Sequence, residues 1–270
     1  MNLNQSAHGD REYGFILARL GIPHEIVVGY YKHEHVINSI RRFAQIAGAI
    51  GYSRSLKTAM FGSNMRDVAV TDGDRVESQI RYGWEVNYYG IGDLVQLAEA
   101  ADEESIQAKL SEYRKNYIMS DEDLETIREQ AKYELGLEKF MEENKTGAFT
   151  DNFQDLHGLR QLPGMAVQRL MAKGIGFGAE GDYKTACLMA VLHKMAEGRE
   201  GATGFMEDYT YDLTEAGECV LAAHMLEVSE EFAISKPAIE VHPLGIGGKE
   251  PPARLVFNSV TGPAVAVCMT

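Results

Sequence analysis

The sequence predicts an α/β fold, with a parallel-sheet, Rossmann-like domain followed by the start of an antiparallel β-barrel domain. Up to about residue 198, β-branched apolar runs alternate with segments whose apolar residues have helical spacing. That alternation is typical of a parallel sheet covered by helices. After Gly201, five short strand-like runs follow one another, separated by glycine and proline, with no helical pattern between them. Successive short strands indicate an antiparallel sheet or barrel, so we expect a domain boundary near residues 198–201.

The first half of the chain contains three strand-like runs, at residues 24–31, 56–61 and 84–89. Apolar residues at helical spacing predict a helix over residues 36–50, and the sequence Thr-Asp-Gly-Asp at residues 71–74 predicts a turn. A charged, helix-rich block follows over residues 93–144. Within it, Ser120 and Asp123 resemble the capping box at the start of a helix.

Two helices and five strands are expected in the second half. One helix opens at Pro163 and runs to Lys173, and another spans residues 182–197. A five-stranded barrel would be incomplete, and open sheet edges are costly, so we expect the chain to be a fragment of a longer protein. The five strand-like runs lie at residues 205–213, 220–228, 238–243, 254–258 and 264–269.

The composition excludes several classes of protein. Of the 270 residues, 45% are apolar and 24% are charged, which excludes a disordered chain. The 40 acidic residues outnumber the 26 basic ones and give a net charge of −14, which repels nucleic acid and anionic lipid headgroups. We therefore expect no nucleic-acid and no membrane partner. The three scattered cysteines form no disulfide framework and suit a reducing, cytoplasmic location.

Two glycine-rich segments raise the question of nucleotide or phosphate binding. Residues 176–181 match the dinucleotide pattern GxGxxG, but the preceding helix leaves room for at most a three-residue strand, and Glu180 would repel a pyrophosphate. A nicotinamide-dependent oxidoreductase is therefore only a third alternative. Residues 244–249 lack the first glycine of a phosphate-binding loop, and Glu250 stands where Ser or Thr would hold Mg²⁺. We expect a turn between strands, or a pocket wall, at that segment.

Three side chains are candidate metal ligands: Glu180, Glu207 and His224. Each lies in a short apolar or glycine-rich setting, where a buried carboxylate needs a partner or a metal ion. Two carboxylates and one imidazole suit Mn²⁺, Co²⁺ or Mg²⁺ better than structural zinc. The three residues match no local metal motif, so separate, salt-bridged side chains are the alternative. His8, within the polar run at residues 4–12, suits either a polyol-binding loop or a simple polar turn.

Several long motifs, occurring in order, resemble the bacterial L-arabinose isomerase family. They cover nearly the whole chain, and the helical block over residues 100–144 is its least distinctive part. In chain order they are NQSAHGDREYGF from residue 4, FGSNMRDVAVTDGDRVESQIRYGWEVNYYGIGDLV from residue 61, LRQLPGMAVQRLMAKGIGFGAEGDYKTA from residue 159, GFMEDYTYDL from residue 204, LAAHMLEV from residue 221 and HPLGIGGKEPPARLVF from residue 242.

The resemblance implies a domain layout and an activity. Residues 1–55 would end an N-terminal α/β domain, residues 56–199 would form a central α/β domain, and residues 200–270 would begin a C-terminal β-barrel domain. Members of the family interconvert L-arabinose and L-ribulose, and many also interconvert D-galactose and D-tagatose, through a cis-enediol. They use Mn²⁺, with Co²⁺ or Mg²⁺ as alternatives. The implied protein is a cytoplasmic enzyme that acts on a small aldose sugar and assembles as a homo-oligomer, a tetramer or hexamer.

The resemblance also implies roles for individual residues. Glu180, Glu207 and His224 match three of the family's four metal ligands, and the two glutamates would also be the catalytic acid and base. The fourth ligand, a histidine, would lie beyond Thr270. Because that ligand and most of the first domain are missing, a catalytically inactive sugar-binding or assembly fragment is the alternative. The implied substrate contacts are Gln5 and His8, in a loop that reaches a neighbouring subunit's pocket, and Met65, Phe153 and Ile246.

Overall fold

The computed structural model describes residues 6–270, and these form two compact units. The first unit ends at Gly48, and the second runs from Ala49 to Thr270. Helix α1 spans Ser6–Arg19, and helix α2 spans Glu34–Ser53, which confirms the helix expected over residues 36–50.

Two expectations for the first unit are wrong. The polar run around His8 is part of α1 rather than a loop, and on that helix the His8 imidazole lies one turn from the Glu12 carboxylate, at 3.8 Å. The segment at residues 24–31 is not a strand. A β-branched run becomes a strand only when a neighbouring strand takes up its backbone hydrogen bonds. In the described part of the chain none lies beside it, and Ile26 and Val28 are 74% and 82% exposed.

The second unit is built on a parallel four-stranded sheet, which confirms the α/β fold class. Its strands are β1 (Lys57–Phe61), β2 (Glu85–Tyr89), β3 (Ala148–Asp151) and β4 (Gly176–Gly178), in the order β2-β1-β3-β4. The strands expected at residues 56–61 and 84–89 are therefore confirmed. Strand β3 was not identified from the sequence, because four buried residues are too few to show a period.

Helices surround this sheet, and the expected helix-rich block is confirmed. They are α3 (Arg75–Tyr82), α4 (Ile91–Glu99), α5 (Glu103–Asn116), α6 (Leu124–Asn144), α7 (Gly164–Ala172) and α8 (Tyr183–Ala196). The capping box expected at Ser120 is wrong. The Ser120 hydroxyl accepts a hydrogen bond from the backbone N–H of Glu122, so it closes a turn ahead of α6 instead of capping it.

The core of the second unit contains a row of phenylalanine rings across the sheet. Phe61, Phe149 and Phe177 occupy the three adjacent strands β1, β3 and β4, each at most 1% exposed, with neighbouring ring centroids 6.4 and 5.2 Å apart. On β4, the flanking glycines allow α8 to approach closely: a Cβ on Gly176 would lie 2.1 Å from the Ala186 carbonyl oxygen. These glycines therefore serve strand–helix packing and lie within a strand, unlike the loop glycines of a dinucleotide fingerprint.

Two antiparallel strand pairs follow the sheet. Strands β5 (Glu207–Asp212) and β6 (Cys219–Ala223) form one, and β7 (Ala238–Val241) and β8 (Ala253–Val256) form the other. The strand expected at residues 264–269 is wrong: this segment has no regular structure. Within residues 6–270, no helix is both long and apolar enough to cross a bilayer.

Candidate functional site

The candidate site lies at the carboxyl ends of the parallel strands, the edge where open α/β sheets bind ligands. Asp151 is the last residue of β3, and Glu180 follows two residues after β4. The backbone of Glu180 is left-handed, with φ of 64°, an uncommon conformation for a residue with a side chain. It is held there by its neighbours. The N–H of Gly181 donates to the Asp151 carbonyl at 3.0 Å, and the N–H of Met65 donates to the Glu180 carbonyl at 2.9 Å.

The β5–β6 hairpin brings Glu207 and His224 together. Glu207 pairs with Ala223 across the hairpin, and His224 is the next residue along the chain. As a result, the His224 Nε2 atom lies 3.8 Å from the Glu207 Oε1 atom. The imidazole ring also packs edge-on against the buried Phe205 ring, with centroids 4.8 Å apart, which restricts its orientation.

A buried acid lies on the other side of this imidazole. Glu227 is 7% exposed, and its Oε2 atom shares a hydrogen bond with the His224 Nδ1 atom. Neither Glu227 nor Asp151 was predicted from the sequence as a site residue. Their signals are weak: Glu227 is the only acid in an otherwise apolar run after His224, and Asp151 ends a four-residue strand too short to recognise.

Burial and nearby charges raise three pKa values at the site. Burial, and then the nearby Glu207 carboxylate, raise the pKa of Glu180. Burial and the Glu227 charge raise the pKa of Asp151 to about 7. For His224, burial acts to lower the pKa, but the hydrogen bond and charge of Glu227 and the charges of Glu207 and Glu180 outweigh it and raise the pKa. The site therefore concentrates negative charge around one imidazole.

A narrow cleft with a cavity volume of about 20 Å³ connects several of these groups. That volume is enough for about one water molecule or ion. Among the residues suggested as substrate contacts, Phe153 lines this cleft, together with Glu180 and His224. The remaining lining residues are Asp151, Leu156, Leu162, Pro163, Ala179, Met225 and Glu227.

The other suggested substrate contacts within the described residues do not line this cleft. Met65 is half-buried and adjoins the site through its backbone contact with Glu180, and Ile246 is half-buried in the glycine-rich turn between β7 and β8. His8 lies on α1 in the first unit, and Gln5 lies outside the described residues. The glycine-rich turn is not a phosphate loop: the Nζ atom of its Lys249 donates to two backbone carbonyls.

The donor set fits a divalent cation in its chemistry. His224 presents one ring nitrogen towards Glu207 while the other is bonded to a carboxylate, which is the usual environment of a metal-binding histidine. Glu180 and His224 line the same cleft. Over residues 6–270, however, no three His, Cys, Asp or Glu side chains are already grouped closely enough to hold a metal ion. The three-ligand site therefore stays a prediction.

Comparison with known proteins gives one consistent result. Models of the N-terminal, central and C-terminal domains of L-arabinose isomerase match residues 1–55, 57–198 and 202–270. A protein of Clostridium beijerinckii named L-arabinose isomerase is 53% identical over 270 residues, covering 100% of this chain and 55% of that protein. The proteins of that name from Thermotoga sp. and Geobacillus stearothermophilus are each 53% identical over 98% of this chain and 54% of their own length. The chain thus spans about half the length of these relatives.

Proposed function

The chain belongs to the L-arabinose isomerase family, and from that membership we propose that it carries part of the active site of an aldose–ketose isomerase. The proposed reaction converts L-arabinose to L-ribulose, and D-galactose to D-tagatose as a second substrate pair. The observation that carries this proposal is that the His224 imidazole lines one cleft with Glu180 while its Nε2 atom lies 3.8 Å from the Glu207 carboxylate.

The proposed chemistry needs a group that both accepts and returns a proton. Moving the carbonyl from C1 to C2 requires a proton to leave C2 and return at C1, through a cis-enediol, while a second proton passes between the two oxygens. Glu180 suits this task, because burial and the Glu207 charge raise the pKa of its carboxyl, and a carboxyl with a raised pKa can act as base and then as acid. Glu207 is the second member of the proposed acid–base pair.

A metal ion is part of the proposal. Glu180, Glu207 and the Nε2 atom of His224 would hold Mn²⁺, with Co²⁺ or Mg²⁺ as alternatives. When bound, the cation would supply Lewis-acid stabilisation of the negative charge that develops on the sugar oxygens. Glu180 and Glu207 both act electrostatically on the His224 imidazole, whose side chain is only 4% exposed, and this supports the proposal, because such negative charge is costly without a cation.

The wider organisation is proposed from the family. Residues 1–55 would end the N-terminal domain, residues 56–199 would form the central domain, and residues 200–270 would begin a C-terminal β-barrel. Phe153, Met65 and Ile246 would line the sugar pocket. Gln5 and His8 would reach the pocket of a neighbouring copy in a cytoplasmic homo-oligomer, a tetramer or hexamer. The two antiparallel strand pairs support the barrel assignment.

The test measures ketose formation by the purified chain. The chain is incubated with L-arabinose and MnCl₂, and L-ribulose is quantified by NMR for the unaltered chain, for Glu180→Gln and for Glu215→Gln, whose side chain is exposed in the β5–β6 turn. We expect turnover by the unaltered chain and by Glu215→Gln, and a loss of about 10²–10⁴-fold in Glu180→Gln. Measurable ketose formation at the same rate in all three would overturn the role of Glu180. Binding of Mn²⁺ and sugar without ketose would instead identify a binding module.

A further inference from the structure

The two ring nitrogens of His224 face two different carboxylates. The Nδ1 atom is hydrogen-bonded to the Glu227 Oε2 atom, and the Nε2 atom lies 3.8 Å from the Glu207 Oε1 atom. A neutral imidazole carries its proton on one nitrogen and its free lone pair on the other, so the carboxylate that takes the proton decides which nitrogen can bind a cation.

Glu227 is held in place from several directions. Its backbone lies in the segment 225–228, where the Arg254 guanidinium donates to the Met225 carbonyl at 3.1 Å and the Gln168 amide donates to the Val228 carbonyl at 2.8 Å. Between them, Leu226 packs against Gly164 at the start of α7, where a Cβ would lie 2.4 Å from the Leu226 Cβ. Glu227 is therefore anchored by contacts with α7 and β8 and does not depend on the exposed hairpin.

Glu207 has none of this anchoring. It begins β5, a strand whose remaining residues are exposed, and its own side chain is 39% exposed. Of the two carboxylates beside His224, the buried and anchored one is bonded to Nδ1, and the exposed one faces Nε2. This asymmetry favours the tautomer with the proton on Nδ1. A charge-assisted hydrogen bond stabilises a buried carboxylate more than an exposed one, because water already solvates the exposed carboxylate.

We propose that Glu227 is a positioning residue that keeps the proton of His224 on Nδ1 and thereby presents Nε2 to a divalent cation. The inference rests on the proposed function, since it gives Glu227 a role towards the metal ion proposed there. Glu227 touches neither the cation nor the sugar in this role; it acts through the imidazole. Carboxylates bonded to metal-binding histidines typically change metal affinity 10–100-fold when they are replaced.

The test compares Glu227→Gln with Glu231→Gln. Glu231 is a half-buried glutamate that also faces a histidine outside the cleft: its Oε2 atom lies 3.6 Å from the His193 Nδ1 atom, which is hydrogen-bonded to Thr203. It therefore controls for the loss of a glutamate–histidine contact as such. Mn²⁺ affinity is measured by electron paramagnetic resonance of the free ion, and thermal unfolding is followed in parallel. In chain labelled with ¹⁵N-histidine, NMR reports the tautomer of His224, whose signals are assigned by their loss in His224→Gln.

We expect Glu227→Gln to weaken Mn²⁺ binding 10–100-fold and to shift the His224 population away from the Nδ1-protonated tautomer, whereas Glu231→Gln binds like the unaltered chain. An unchanged affinity and tautomer in Glu227→Gln would overturn the inference and leave the proposed function standing. Equal weakening in both variants would also overturn it, because the effect would then be general destabilisation. If the unaltered chain binds no Mn²⁺, the metal part of the proposed function fails and the inference fails with it.

Discussion

The backbone N–H of Met65 donates a 2.9 Å hydrogen bond to the carbonyl oxygen of Glu180. This bond joins the loop after β1 to the loop after β4, two strands separated in the sheet by β3. The Asn64 side chain adds a 3.1 Å bond to the Gly181 carbonyl. The backbone conformation of Glu180 therefore sets the direction of its side chain. Hydrogen bonds from residues 64 and 65, outside the loop after β4, hold residues 180 and 181 in their left-handed conformation.

The first prediction concerns Gly181. Its φ of 83° disfavours any side chain, and a Cβ would lie 2.6 Å from the Asn64 Cα, which is backbone and cannot move aside. We expect Gly181→Ala to lower the free energy of unfolding by about 2–4 kcal/mol, as strain and a clash combine. Gly198→Ala is the matched control, because Gly198 also has a positive φ of 76° but open space around it. It should lose only about 1 kcal/mol in urea unfolding, and equal losses would contradict this account.

The second prediction concerns the pH dependence that Asp151 gives to stability. Burial raises its pKa from 3.8 to about 7 in the folded chain. Between pH 4 and 7 the unfolded chain has therefore released this proton while the folded chain retains it, so raising the pH favours unfolding. The full effect is roughly 4 kcal/mol, reached near pH 7.

Asp151→Asn removes this titration. The free energy of unfolding of the variant minus that of the unaltered chain should therefore rise from pH 4 to pH 7 and level off above it. Taking this difference removes the contributions of all groups that titrate in the same way in both proteins. A difference that stays flat across this range in urea titrations would show that Asp151 ionises normally in the folded chain.

The third prediction concerns a buried charge network between helices α5, α6 and α7. The Glu134 carboxylate is fully buried and accepts hydrogen bonds from Arg169 at 2.6 Å, Tyr113 at 2.6 Å, Lys173 at 2.8 Å and Lys109 at 3.1 Å. Burial acts to raise its pKa, but the three cations outweigh burial and lower the pKa to about 2. Its contribution to stability is present above about pH 4.5 and is lost as the pH falls through 2.

Glu134→Gln should lower the free energy of unfolding by about 3–5 kcal/mol at pH 7, because it removes the fully buried carboxylate and leaves the buried Arg169 and Lys109 paired with partly exposed carboxylates such as Glu112 and Glu138. Glu103→Gln is the control. The pKa of Glu103 is also lowered to about 2, chiefly by its hydrogen bond with Arg128, but that side chain is exposed. Glu103→Gln should hardly change the midpoint of chemical unfolding, because solvent screens the exposed Glu103–Arg128 ion pair. A large effect of Glu103→Gln together with a small one of Glu134→Gln would reverse the expected order.

The fourth prediction concerns Lys249, which fastens the glycine-rich turn to the loop that carries Phe153. Its Nζ atom donates to the carbonyls of Leu156 at 2.6 Å and Leu159 at 2.8 Å. We expect Lys249→Met to destabilise this loop by about 1–3 kcal/mol, measured as faster hydrogen–deuterium exchange over residues 153–160. Lys236→Met serves as control, because its Nζ atom bonds a single exposed carbonyl, that of Lys115. Hydrogen–deuterium exchange over residues 153–160 should be the same in Lys236→Met as in the unaltered chain.

An element of this chain is predictable from the sequence when its signal is local. The helices at residues 163–173 and 182–197 were predicted correctly because their spacing and their first residues, Pro163 and Asp182, are visible in the chain itself. The strands expected at residues 24–31 and 264–269 were wrong for the opposite reason. Their residues favour extended backbone, but a strand also needs a neighbour, and sequence preference contains no information about whether one is present.

By itself, the sequence determined the α/β fold class, the family and the chemical types of the proposed donors. The alternation of strands and helices, the order of the motifs and the identity of each residue are all properties of the linear sequence. Only the tertiary structure decided which donors meet. The hairpin register sets Glu207 beside His224, the parallel order of β3 and β4 brings Asp151 next to the Glu180–Gly181 turn, and the anchored segment after β6 adds Glu227. Glu207 meets His224 through strand pairing, and Asp151 meets the Glu180–Gly181 turn through the sheet order, so these contacts join distant segments and no local motif predicts them; Glu227 is only three residues from His224, but its burial depends on packing against α7.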